Sequence, residues 1–245
     1  MAQETVKDVI NATYRALRDS ARIATGTTAL ADDGTDQDEV KTFELVADAI
    51  EEVAAKHTWR CYQSRITMTY TAATDSVNCP AGVLEDAEFV RDQNGNILAW
   101  NITNASAPYM LEALPLADML EAQEEDLGVT QTQPSYITMT TDGDTPAIRL
   151  FPVPTSSVSL SFVVYNPPER IAPTTAAILA TVIKLPARLI RRLVIWWSAE
   201  ERGEELGEQA TLLKDRYESA LVEEITADER AQGAYSDQLY AGKPL

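Results

Sequence analysis

The sequence is poor in the residues that carry out chemistry. Its 245 residues include one histidine, His57, and two cysteines, Cys61 and Cys79. Two thiols make no disulfide framework, and with no C-x-x-C pair they supply neither a zinc nor a redox motif. A single histidine excludes a histidine-based metal cluster and leaves any Ser-His-Asp set dependent on His57. No G-x-S-x-G elbow accompanies it. The ten glycines are scattered, and no G-x-x-x-x-G-K-S/T or G-x-G-x-x-G phosphate loop occurs among them. No run approaches the ~18 apolar residues needed to span a bilayer. The stretch Met1–Ser20 is studded with charge and lacks the apolar core of a secretory leader. The sequence therefore predicts no cofactor, no metal, no membrane and no catalytic set, in a reducing, cytoplasmic setting. In that setting the sequons at Asn11, Asn101 and Asn104 are incidental.

Positive charge is also scarce. Lys and Arg number 20 against 38 Asp and Glu, a formal net charge of −18. Such a chain does not bind nucleic acid by general phosphate attraction, which needs clustered cations. The bland reading of the acidity is solubility. The charge is uneven, however. Residues 60–168 hold 4 basic and 13 acidic side chains, whereas residues 169–245 hold 10 and 13.

What is present is hydrophobic period, helical at both ends and alternating in the middle. Val6, Ile10, Tyr14 and Leu17 recur at helical spacing and predict a helix over about Glu4–Ser20. Asp36 with Glu39 resembles a capping pair. It opens a second helix to about His57, with Val40, Phe43, Val46, Ile50 and Val53 as its stripe. After Trp59 the period becomes two. Tyr62, Ser64, Ile66, Met68 and Tyr70 alternate with polar neighbours as a half-buried strand. A hairpin is predicted at Asp92–Gly95, because Asn-Gly tolerates positive φ. Further strands are expected at Tyr136–Thr140, Ala147–Phe151 and Val158–Val164, and a short helix over about Pro115–Glu125. Pro186 opens a third long helix with Leu189, Leu193, Trp196 and Trp197 on its apolar side. The stripe then continues through Leu206, Ala210, Leu213, Tyr217, Ala220 and Ile225. Residues 231–245 show aromatic and leucine anchors but no long period.

The fold class expected is α+β: a helical bundle from N- and C-terminal helices with an inserted antiparallel β-sandwich or barrel. The divisions are residues 1–59, 60–168, 169–230 and a tail at 231–245.

Several clusters invite functional readings. His57, on the apolar stripe, reads as a packing or capping histidine before a general base. The acidic run Asp32, Asp33, Asp36 and Asp38 lacks the central glycine of an EF-hand and reads as a helix start. Glu200, Glu201, Glu204, Glu205 and Glu208 lack the E-x-x-H of a di-metal bundle and read as a solvated face. Arg188, Arg191 and Arg192 either pair with nearby carboxylates or form an intersubunit patch. Trp196 and Trp197 diverge by about 100° on a helix, so either one packs inside and the other meets a neighbouring subunit, or a wide bundle interior takes both.

The ordered parts then form a familiar series. Ala54–Trp59 ends the helical pair, Pro134-Ser135-Tyr136 begins a strand, and Ile148–Pro154 carries a Pro-x-Pro break. Val164–Pro168 closes the strand region, and Leu185-Pro186 opens a long helix containing Glu204 to Tyr217. This series resembles the head-to-tail adaptor proteins of tailed bacteriophages, including the tail tubular protein A group. Asn78-Cys79-Pro80 stands where such proteins usually have Leu-Pro. The resemblance implies a structural virion protein that forms a ring, typically of twelve copies, beneath the portal protein. Its partners would be itself, the portal, and tail or nozzle proteins, with DNA passing through the lumen without specific binding. Its place is the virion neck, after assembly in the host cytoplasm. Arg188, Arg191, Arg192, Trp197, Tyr235, Leu239 and Tyr240 are the expected portal-docking or subunit-interface residues. The competing readings are another virion part, such as a tail-completion protein, or a carbohydrate-binding module presenting Tyr62, Tyr70, Trp100 and Tyr136.

Overall fold

The computed structural model describes residues 4–17, 37–92, 94–125, 133–142, 145–171, 178–201 and 207–240. Among them are five α-helices and nine strands, an α+β chain that divides into two compact units. One unit comprises residues 1–61 and 168–232, and the other residues 62–167 and 233–245.

The first unit is helical. Helix α1 (Val6–Ala16) begins at a capping box. The Thr5 hydroxyl accepts from the Asp8 amide at 3.3 Å, and the Asp8 carboxylate accepts from the Thr5 amide at 2.9 Å. Those bonds to the Thr5 backbone and side chain hold the Asp8 carboxyl below its ordinary range. Satisfying orphan amides in this way fixes where a helix starts. Helix α2 (Gln37–Ala55) buries Phe43, Val46, Ala47, Ile50 and Val53, as its period predicts. The Asp36–Glu39 capping pair and the acidic run at 32–36 lie outside the described residues or side chains. Helix α4 (Ala187–Glu201) packs against both α1 and α2. The amide of Leu189 donates to the Pro186 carbonyl at 2.8 Å, closing its first turn. Its core face is Leu189, Ile190, Leu193, Val194 and Ala199, and both tryptophans are half-buried beside it. The chain before α1 is stitched to the chain before α4. Val6 donates to the Thr181 carbonyl at 3.0 Å and Ile183 to the Glu4 carbonyl at 2.9 Å.

Helix α5 (Gly207–Tyr240) buries Ala210, Tyr217 and Ala220. The sequence predicts helix only to about residue 230, yet the backbone stays helical through Tyr240. Residues 231–240 lack an apolar stripe, which is why the sequence does not show this part of the helix, but they hold no proline to end it.

The second unit is a two-sheet sandwich. The first sheet orders β1 (Gln63–Tyr70), β9 (Val158–Tyr165), β4 (Ala99–Asn101) and β5 (Tyr109–Met110), with β3 (Glu88–Phe89) also on β9. The second orders β2 (Val77–Asn78), β8 (Thr145–Phe151), β7 (Tyr136–Asp142) and β6 (Glu112–Ala113), antiparallel except for β6–β7. Strands β1 and β9 pair along their full length, from Gln63↔Tyr165 to Tyr70↔Val158. One face of β9 sends Leu160, Phe162 and Val164 into a core shared with Tyr70, Ile137, Ile148 and Leu150. The other face also buries Val163, against Val90 and Leu98. The turn at Asp92 forms as its residues dictate. Asp92 Oδ1 accepts from the amides of Asn94 and Asn96 at 2.8 Å, and Gly95 takes φ +84°. Helix α3 (Leu116–Glu125) buries Met119 completely and leaves Leu116 and Leu120 exposed.

Candidate assembly surfaces

His57 follows the end of α2 as a junction residue. Its ring meets Trp59 edge-on at 5.0 Å, and Trp59 Nε1 donates to the Val53 carbonyl at 2.7 Å. His57 Nε2 lies 3.1 Å from Asp228 Oδ2, and that same oxygen accepts from the Arg60 amide at 3.1 Å and Gln232 Nε2 at 2.9 Å. Gln232 Nε2 also donates to the Thr58 carbonyl at 2.8 Å. One carboxylate of α5 thus ties that helix to the turn after α2. Three donors converging on it make a structural clamp. Sequence spacing gives no hint of this cluster, since the partners are 171 positions apart.

Nearby Cys61 is exposed at its surface, yet its thiol is pushed up to about 11 by local desolvation and by the Asp228 carboxylate. Cys79 is buried, which also raises its thiol to about 11. Neither is an activated thiolate. Among the described residues no group of three or more His, Cys, Asp or Glu side chains is placed to hold a metal ion, and no helix is long and apolar enough to cross a membrane. Glu204, Glu205 and the acidic run at 32–36 lie outside the described residues.

The three arginines of α4 are engaged within the helical unit. Arg188 Nη1 is 3.1 Å from Glu223 Oε2, and Arg191 Nη2 is 3.3 Å from Glu4 Oε1. Arg192 Nη1 donates to the Arg216 carbonyl at 2.6 Å. Burial and the adjacent Arg188 draw the Arg192 guanidinium below its ordinary value, although it stays charged. Trp196 stacks at a tilt on Tyr217 (5.9 Å) with Lys214 Nζ 5.6 Å from its ring centre, while Trp197 is half-buried. Tyr235, Leu239 and Tyr240 lie on the last turns of α5, and their side chains are outside the description. The structure therefore brings Arg188, Arg191, Arg192 and Trp197 onto one helix, with α5 beside it.

Beside Arg192 is an open cleft of about 750 Å³ between α1, α4 and α5, lined by Leu17, Ile195, Leu212, Leu213, Arg192 and Arg216. Leu212 is half-exposed. The four aromatics that could form a ligand platform do not converge. Tyr70 is fully buried, Tyr62 meets Tyr165 edge-on, Tyr136 stacks on Phe151, and Trp100 packs against the Val90–Leu98–Val163 cluster.

The geometry thus offers packing surfaces among the described residues, and comparison with known proteins gives the chain a family. No curated protein matches the sequence. The profile of the SU10 adaptor protein family matches residues 5–239, which reaches into both units and spans every strand and helix described above but for the last residue of α5. The chain therefore belongs to the SU10 adaptor protein family, and it is a structural phage adaptor of the head-to-tail kind.

Proposed function

We propose that copies of this chain close into a ring beneath the portal protein, typically of twelve, and join it to the tail while DNA passes through the lumen. The observation that carries this reading is the family match over 5–239. The charge supports the DNA part of it. A wall drawn from a chain of net charge −18 repels a polyanion, so the duplex slides without being held. Portal docking falls to the C-terminal segment, where Tyr235 and Leu239 stand four positions apart and Tyr240 follows. On a helix that spacing puts the first two on one face. The half-buried Trp197 supports a contact with a neighbouring subunit, as Trp is enriched at interfaces. The ring would sit at the virion neck and be assembled in the host cytoplasm.

The test is cryo-electron microscopy of the purified chain with its portal protein. A closed ring with an acidic channel is expected. A channel lined by Lys and Arg, or a chain that stays single beside the portal, overturns the reading.

A further inference from the structure

Two surfaces of this chain complement each other but lie on different units. The cleft beside Arg192 combines apolar lining (Leu17, Ile195, Leu212, Leu213) with two guanidinium groups. Neither guanidinium has a carboxylate within salt-bridge distance among the described residues: Arg192 spends a donor on a backbone carbonyl, and Arg216 forms no ion pair. In a chain with nearly twice as many acids as bases, two cations beside an open apolar cleft are a conspicuous arrangement.

Helix α3 is the converse. It turns Met119 inward and leaves Leu116 and Leu120, 38% and 42% exposed, on the outside. These two are one turn apart on one face, Glu124 continues that face, and exposed Glu121 borders it. The strip from Leu116 to Glu124 is about 12 Å long and reads apolar, apolar, acidic.

We propose that a second copy of this chain lays its α3 into the cleft. Leu116 and Leu120 pack against Leu212 and Ile195, and Glu121 and Glu124 approach Arg216 and Arg192. Apolar burial supplies the attraction, and the charges set the register and reject other partners. Because cleft and helix are different surfaces, each bound copy still presents one of each. Such a contact is heterologous, and it propagates until rotation closes it into a ring. The inference rests on the ring reading and assigns it a specific interface.

The experiment is a charge swap in the full-length chain, followed by native mass spectrometry and sedimentation alone and with the portal protein. Arg216, Glu121 and Glu124 are exposed, so the variants keep the wild-type circular dichroism. Arg216→Glu, and separately Glu121→Lys with Glu124→Lys, are each expected to weaken assembly by about 10-fold or more. The triple variant is expected to recover to within a few-fold of wild type. As a second readout, Leu120→Cys on one chain and Leu212→Cys on another, both in a Cys61→Ser background, are expected to form an interchain disulfide. If the wild type assembles and the variants assemble equally well, or the triple variant does no better than its parents, this interface is wrong and the ring stands. If the cleft is instead filled by residues 18–36 of its own chain or by a portal segment, no interchain disulfide forms and the proposal falls. If the wild type itself never assembles, the ring reading fails and takes the interface with it.

Discussion

At the scale of single residues, the clearest expectations concern groups whose environment departs from water. Tyr217 has a buried hydroxyl with no hydrogen-bond partner among the described residues, and burial with the Glu52 and Glu218 carboxylates pushes its phenol up to about 12. Tyr217→Phe removes the unpaired group, so it should be neutral or stabilising by about 1 kcal/mol in urea titrations at pH 7. The raised phenol also sets a sign. The unfolded chain ionises from about pH 10, so this group's contribution is complete below that pH and is lost as pH rises through 12. Tyr217→Phe should flatten the fall of the thermal midpoint over that window. Cys61 gives a parallel test: a thiol at about 11 should react with iodoacetamide at pH 8 about 100-fold more slowly than a thiol of ordinary acidity. Phe162, wholly buried at the centre of β9, should cost about 3–5 kcal/mol on replacement by alanine.

At the scale of elements, caps and clamps are the units of argument. Thr5→Ala removes one half of the α1 capping box and should lower stability by about 1 kcal/mol. Asp228→Ala strips the acceptor from His57, the Arg60 amide and Gln232. Hydrogen exchange should quicken at Arg60 in that variant far more than in the core of α2. The clamp also says where a truncation must be cut. Removing residues 233–245 leaves Asp228 and Gln232 in place. The shortened chain should fold with unchanged ellipticity in the helical unit and fail to bind portal.

This is also the scale at which the sequence is most and least readable. Strands β1 and β9 are legible because every second residue faces one core, and α2 because its stripe runs unbroken from Phe43 to Val53. The two-residue strands β2, β3, β5 and β6 are too short to show any period. In α3 hydrophobicity points the wrong way, since the leucines are outside and Met119 is inside. The tryptophans of α4 follow the same lesson, for smaller neighbours at 190, 194 and 199 take the core positions beside Leu189 and Leu193. The arginine cluster is legible as charge, and pairing with downstream glutamates or acids of neighbouring helices is one of its two expected readings, but that the partners are Glu223 and Glu4 only folding decides.

At the scale of the whole molecule, two units with separate cores imply separable responses. Phe162→Ala should melt the strand unit first and leave most of the helical far-UV signal standing. The net charge of −18 leads us to expect binding to duplex DNA weaker than about 0.1 mM at physiological salt, below the range of nonspecific DNA-binding proteins. Filter binding checks this, and a tight, salt-sensitive complex would remove the sliding argument.

The pairing of Gln63 with Tyr165 has a kinetic corollary. The helical unit is interrupted by roughly one hundred residues, and closing a floppy loop of that size costs about 4 kcal/mol of chain entropy. Once β1 and β9 have zipped, the two severed ends of that unit stand one ladder rung apart and most of the cost is gone. The sandwich should accordingly acquire protection before helices α2 and α4 do, acting as a pre-folded splint on which the interrupted bundle closes.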